Sequence, residues 1–509
     1  MLKTSTLRDR CPIVLICAAA ALTLLLPAAL AAQVVLTPDG PQDPNAKPSN
    51  REPEPFRREV DAAAEPRPAL RYRLVTEYSD ETPGNAVPYY YRALVSFLDG
   101  RRELMKQYYD NEESWLDGPI QDLPREDVRK FLGQFSTIFS QLEVASRREK
   151  VDWDWRMQDL RGVEPISFLL PEIQEARSLA RLLRLKARLE IAEGRYEDAL
   201  DTLRIGYALA RAVAEPPTLI NALVGVAISS IMHAELRELI AAPDSPNLYW
   251  ALSELKRPLI DMRQALRHEM SMPQQMFPFL KDAETAERSP AEWQSVVRES
   301  FERIGEVQGL VDSSDKTGLQ FMAAGLVLRG YPRAKQDLID AGYDAERVDQ
   351  MPVAQVVAIH QAQVYRYMYQ EMFKWTLLPS TEAAARRNEA ENRLKAEGYF
   401  GPAGTTREII PIASLLLPSV FAAGEAELRL ETRTAGLRAV EAVRMHAAAN
   451  GGEWPKSLEE VTVVPVPDNP RNGQRFPYRV EGDTAILDVP GPEGQEMIGW
   501  RFELTLRKD

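Results

Sequence analysis

Between Pro171 and Met232 apolar residues recur every three or four positions, with interruptions only at Gly194 and at Pro216-Pro217. That period puts the apolar side chains on one stripe of a helix and cannot serve a pleated strand, where the faces alternate every second residue. Three consecutive helices are therefore predicted, each obliged to bury its stripe against a neighbour. "PEIQEARSLARLLRLKARLEIAEG" opens at Pro171 and stops at Gly194, the asymmetry that suits a helix start and a helix end. Beyond the turn Gly194-Arg195-Tyr196, the residues Tyr196, Ala199, Leu203 and Gly206 share one side of the second helix. The run "TLINALVGVAISSIM" that follows Pro216-Pro217 is apolar all round. Its 15 residues fall short of the ~20 needed to cross a bilayer, so it reads as the central buried helix. Each Leu, Ile or Val there contributes about 1.5–3 kcal/mol on burial. Gly225 and Ala227 allow another helix to approach closely.

The same period persists from about residue 86 to 420. Helices are predicted over 88–109, around a tolerated Gly100, and over 124–148, with Pro124 at the start and Val128, Phe131, Phe135, Ile138 and Leu142 on one stripe. Others follow at 247–256, 258–272, 291–311, 352–377 and 382–397, the last capped by Thr381, with breaks at Pro273, Pro278, Gly330 and Gly342. Strand patterning is almost absent. Residues 71–420 therefore read as an all-α body of stacked αα-hairpins.

The pattern changes over 421–509. A helix at 423–449 carries Leu430, Leu437, Val440 and Ala447 on one face and stops at Asn450-Gly451-Gly452. Ser457 and Glu460 form a capping box for a short helix. "FPYRV" and "TAILDV" flank the turn Glu481-Gly482-Asp483 as an antiparallel hairpin. In "IGWRFELTL" Ile498, Trp500, Phe502, Leu504 and Leu506 alternate with Arg501, Glu503 and Thr505, so one face should lie on the helix and the other in water. The fold class is mainly α, with a small α+β module at the C-terminus.

Residues 1–33 read as an export signal: Lys3, Arg8 and Arg10, then the apolar run Ile13 to Leu26, then Ala29-Leu30-Ala31 before a cleavage. The alternative is an uncleaved anchor; both put the body outside the cytoplasm, in the periplasm or the extracellular space. Residues 34–70, rich in Pro and in charge of both signs, read as a disordered linker. Cys11 and Cys17 both lie in the export segment, so disulfides, thiolate metal sites and cysteine nucleophiles are excluded from a processed chain. The formal net charge of −13 opposes binding to nucleic acid or anionic lipid.

The turn and second helix, with Gly194-Arg195-Tyr196, Ala199 and Gly206, resemble the helix–turn–helix of tetratricopeptide repeats, although Ala187 stands where that family has Gly and no second copy follows at a 34-residue period. "RMHAAANGGEWPKSLEEV" followed by "VPDNPRNGQRFPYRV" resembles the globular part of type II secretion major pseudopilins. That resemblance implies a calcium site among Asp468, Asp483, Asp488, Glu493 and Glu496, although "PGPEGQE" replaces the family's Asp-rich loop. Pseudopilins carry their apolar segment directly ahead of this unit, so here it reads as a borrowed module. The chain as a whole is similar to a group of exported bacterial helical proteins sharing the 193–272 and 352–377 patterns, with no established activity.

Few residues suggest chemistry. His233, His268, His360 and His446 form no His-Glu-x-x-His pattern, and His233 and Glu235 are spaced so as to point to different faces. "VDWDW" sets Asp152 and Asp154 beside Trp153 and Trp155, either as a sugar platform with an acid/base pair or as plain tryptophan packing with solvated acids. Tyr365, Tyr367 and Tyr369 with Met368 and Met372 either line a peptide groove or fill the core. "SSDKTG" at 313–318 lacks the leading Gly of a phosphate loop and reads as a turn. No catalytic, cofactor-binding or metal-binding residue is assigned. The residues favour an exported helical scaffold whose partner is a protein or peptide, without nucleic acid and touching a membrane only through its N-terminus. Two alternatives stand: a secreted glycan-active enzyme using the Trp-Asp segment, and a structural envelope component tethered by an uncleaved N-terminus.

Overall fold

A computed structural model describes residues 52–99, 104–155, 171–307, 316–400, 405–413, 418–492 and 494–508. The export segment, Glu493 and residues 313–315 of "SSDKTG" lie outside the described residues. The chain enters through strand β1 (Pro55–Val60) and helix α1 (Val87–Leu98). Helices α2 (Arg125–Gly133) and α3 (Ser136–Ser146) stand where one helix was predicted. The break falls at Phe135, whose φ of −109° and ψ of 11° leave the helical range, and Phe135 stays buried with the other four stripe residues.

The run predicted at 171–241 forms three helices, α4 (Pro171–Ala192), α5 (Tyr196–Ala214) and α6 (Leu219–Ala241), packed on one another. Gly194 ends the first with φ +72°, the left-handed conformation that a residue without Cβ adopts freely. The backbone N–H groups of Gly194 and Arg195 donate to the carbonyls of Ile191 and Glu190, closing the last turn. Thr218 caps α6, its side chain accepting from the Asn221 N–H. α6 is 23 residues, longer than the sequence run implied and long and apolar enough to cross a membrane. Within the fold 72% of its most apolar window is buried, which makes it a core helix. Gly225 accounts for the close packing, since a Cβ there would lie 2.7 Å from the Ala210 carbonyl oxygen.

A second group follows: α7 (Arg263–Met276), α8 (Pro290–Val307), α9 (Lys316–Asp340), α10 (Val353–Phe373) and α11 (Ser380–Ala396). Helix α9 runs through the predicted break at Gly330. Interior glycine costs only about 1 kcal/mol, and Ile409 packs where its side chain would be, 2.5 Å from an ideal Cβ. Pro273 likewise lies inside α7. Thr381 is not the cap of α11, which begins one residue earlier behind Pro379.

The last helix, α12 (Pro418–Ala449), packs on α6, α11 and the C-terminal strands. Strands β2 (Thr82–Asn85) and β3 (Arg148–Lys150) form a small parallel pair, so the body is not wholly α. Strands β4 (Tyr478–Glu481) and β5 (Thr484–Val489) make the predicted antiparallel hairpin, and β6 (Trp500–Leu506) adds to β5, also antiparallel. The fourth strand of that mixed sheet is β1, parallel to β6 with Phe56 opposite Phe502 and Val60 opposite Leu506.

This pairing corrects the reading of 34–70 as a linker. From residue 55 onward the chain is a strap across the sheet and the helices: Arg57 pairs with Glu503 at 2.6 Å, Arg58 with Glu238 at 3.0 Å and Arg73 with Glu254 at 2.6 Å. Val60 and Leu74 are fully buried. Buried apolar residues of α4–α6, α12, β5 and β6 belong to one continuous core, which runs across position 420. At its centre the buried pair Glu441–Arg444 (2.8 Å) joins the parts. Arg444 donates to the Asp61 carbonyl and to both oxygens of Ser245, and Glu441 accepts from the Leu248 N–H. Phe502 and Leu504 of β6 face inward as expected, while its outward side is partly exposed, with Arg501 paired to Asp488 and Glu503 to Arg57, each at 2.6 Å.

Candidate docking groove

Helices α8, α9 and α10 pack against each other pairwise. Along the N-terminal half of α9 they leave a hollow of about 430 Å3. Val297 and Phe301 of α8, Leu319, Ala323 and Val327 of α9, and Val353 at the start of α10 wall it. Leu319, Ala323 and Val327 recur every fourth residue and so share one side of α9. The walls include Ala323, Ala324 and Ala354, and facing small side chains cannot interdigitate to fill the space. Gln294 and Gln320 stand at the rim with the loose pair Arg298–Glu302, 3.9 Å apart. Such a surface offers desolvation and shape to apolar side chains, with neutral polar groups for orientation. Among the described residues its lining holds no nucleophile, histidine or carboxylate pair.

Sequence reasoning missed this site because it expected no helix at 316–340. The signal was present: "GLQFMAAGLVL" is apolar on every face of a helix. A second hollow of about 340 Å3 is lined by polar side chains that include Gln107, Asn111, Asp127 and Lys130. None of the residues singled out from the sequence for chemistry lines either hollow.

Those residues have other work. Trp153 is buried, stacks on Tyr90 and donates from its indole N–H to the Ala212 carbonyl at 2.8 Å, so its face is not open to a sugar ring. Asp152 pairs with Lys150 at 2.7 Å and accepts from the Asp154 backbone N–H. The Lys150 hydrogen bond, before any other cause, holds its carboxyl below the ordinary range, the opposite of what a general acid needs. Asp154 sits in the left-handed region at φ 50°.

His233 is fully buried and binds the Ser229 carbonyl at 2.7 Å and the Thr434 hydroxyl at 2.9 Å, joining α6 to α12. Burial pushes its pKa down to about 4, so the ring is neutral at physiological pH. Glu235 is also fully buried and accepts from Arg184 at 2.9 Å and Arg188 at 3.4 Å. His360 donates from Nε2 to Asp337 at 2.9 Å, and burial lowers its pKa. Burial lowers that of the half-buried His268 as well.

Tyr365, Met368 and Met372 are core residues, the Tyr365 hydroxyl donating to the Met270 carbonyl at 2.7 Å. Tyr369 packs between Tyr365 and Phe373. Tyr367 is exposed and lies against Tyr399, with ring centroids 5.0 Å apart. The tyrosine groove is therefore a packed interface.

The C-terminal carboxylates do not converge. Asp468 pairs with Arg475, Asp483 with Lys508 and Asp488 with Arg501, while Glu496 accepts from the Gly494 N–H. No group of three or more potential metal-ligating side chains occurs among the described residues. No protein-family model, curated protein or solved structure matches the chain.

Proposed function

We propose that the chain is an exported helical interaction protein that binds a partner protein by taking an apolar helical or extended segment into the α8–α9–α10 groove. The observation that carries the reading is that open concave apolar surface, beside an α9 whose Phe321 and Leu328 are each 76% exposed. Large exposed apolar patches on folded domains mark interaction sites more often than chance exposure. A groove between packed helices suits an amphipathic segment with anchors at helical spacing. Under this reading the tetratricopeptide-like hairpin at 193–227 and the pseudopilin-like C-terminal unit are scaffold elements, and the export segment delivers them to the cell envelope.

The test is site-specific. A photoactivatable residue placed at Gln320 should crosslink one protein species in cells, whereas the same residue at Arg57, on the sheet, should not. Val353→Asp puts a charge in the groove wall at a position already 43% exposed, so the fold should survive and the crosslink should vanish. Equal crosslinking from both positions, or a product unchanged by Val353→Asp, would refute the groove.

A further inference from the structure

The polar hollow of about 340 Å3 belongs to other helices than the groove. Two polar stripes border it. One is Gln107, Asn111 and Ser114, at the i, i+4, i+7 spacing of one helical side; the other is Asp127 and Lys130 of α2. Trp115 and Phe131 form its floor, their rings tilted with centroids 5.1 Å apart. Trp115 lies in a five-residue π-helical turn, Glu113–Asp117, closed by the Gly118 N–H donating to the Glu113 carbonyl. Such turns are rare and recur at functional sites, because the extra residue re-aims the side chains around it. Trp115 is 2% exposed, yet among the described residues nothing accepts its indole N–H, and the nitrogen is not sealed from solvent. A buried indole N–H ordinarily finds an acceptor, as that of Trp153 does in the Ala212 carbonyl. Since Trp115 lines the hollow and is otherwise enclosed, its N–H opens into that space. Asn111 is half-buried in the same lining; its amide nitrogen donates to the Gln107 carbonyl, which leaves Oδ1 as an open acceptor.

We infer that this hollow binds the ring of a neutral sugar. Its two enclosed polar groups are one donor and one acceptor. A hydroxyl accepts from the first and donates to the second, whereas a carboxylate only accepts and an ammonium only donates. The charged groups, Asp127 and Lys130, stand exposed at the rim, one of each sign, so the site carries no net charge that would select an ion. Drawing a charged ligand group down to the neutral indole and amide would cost desolvation that no counter-charge there offsets. The side chains of Gln107, Asp127 and Lys130 make no hydrogen bond or ion pair among the described residues, which leaves them for outer hydroxyls. Pro124 and the two rings of the floor offer apolar surface to the C–H face of the sugar. The volume lies at the lower end of the range for small-molecule sites and suits one ring. With few enclosed contacts, the dissociation constant is expected on the order of millimolar.

The full chain with nitrogen-15 in its tryptophan indoles reads the site by nuclear magnetic resonance, because the signal missing from Trp115→Phe is that of Trp115. Glucose, galactose and N-acetylglucosamine serve as free-sugar probes and cellobiose as the end of a glycan. At least one of them should shift the Trp115 signal saturably and leave the other indole signals in place. Asn111→Ala removes the enclosed acceptor and should weaken binding about fivefold. Gln107→Ala, at an exposed position whose side chain holds nothing in the fold, should weaken it about twofold with an unchanged thermal melt. Asp127→Asn/Lys130→Gln removes both charges, keeps the hydrogen-bonding groups and should bind within about twofold of the native chain. The inference is overturned if none of the four sugars gives a saturable shift, or if Asn111→Ala and Gln107→Ala leave the affinity unchanged. It is equally overturned if the dipeptide glycylglycine binds more tightly than every sugar, or if the charge-free double variant loses binding, since the ligand would then be a zwitterion. The groove crosslink at Gln320 reports on other helices and succeeds or fails independently.

Discussion

Arg444→Met should be the most damaging conservative change in the shared core, and its cost can be built from contacts. Arg444 and Glu441 are both completely buried, paired at 2.8 Å. Removing the guanidinium leaves the Glu441 carboxylate with the Leu248 N–H as its remaining partner, 3.0 Å away. Breaking a buried pair from one side costs about 3–5 kcal/mol, because the surviving charge is neither solvated nor neutralised. The Asp61 carbonyl and the Ser245 oxygens lose their donor as well, which pushes the cost toward the upper end of that range. Burial already holds the Glu441 carboxyl above its ordinary range, against the pull of Arg444. Without Arg444 it rises further. A carboxyl raised in the folded state is most favourable below its unfolded pKa and loses that contribution as pH climbs through the folded value. The penalty of Arg444→Met should therefore be larger at pH 8 than at pH 5. Urea unfolding followed by circular dichroism at both pH values measures it, and the double variant Glu441→Gln/Arg444→Met should recover at least half of the loss. A penalty under about 1 kcal/mol, or one independent of pH, would refute the view that this pair holds α12 to the strap and to the loop after α6.

Two further changes probe packing and titration. Gly225→Ala drives a methyl group against the Ala210 carbonyl and the Ala214 Cβ, both 2.7 Å away, and should destabilise by about 1–2 kcal/mol after the gain in helix propensity. Gly206→Ala meets only the flexible Met232 side chain and should cost less than half as much; thermal melts giving the reverse order would overturn this. Burial pushes the Glu431 carboxyl up to about 7 while it accepts from the Leu259 N–H at 2.7 Å. Its contribution is thus present below about pH 4.5 and lost as pH rises through 7, so between pH 5 and 8 the native chain should weaken more than Glu431→Gln, which keeps the acceptor and cannot ionise. Parallel slopes for the two proteins in urea titrations would count against it.

The elements read well from sequence are those whose signals are local. α4, α5 and α6 announce themselves by period, and Gly194 ends α4 through a backbone rule that needs no distant partner. The misread elements are those whose order is supplied from far away. "PFRREV" has only Phe56 and Val60 as large apolar residues and looks like a solvated spacer. It is a strand because β6, more than 400 positions later, offers a paired edge with Phe502 and Leu506 in register. Gly330 obeys the breaker rule in isolation and defies it because Ile409 occupies the missing side chain's place. The candidate site lies between these cases. That residues 318–328 form an apolar helix is written in the sequence, but which stripe is buried depends on where α8 and α10 sit, and composition carries no record of that. The strap has a consequence for attachment too. β1 is the edge strand of the sheet, so whatever precedes Glu52 joins the fold at that edge.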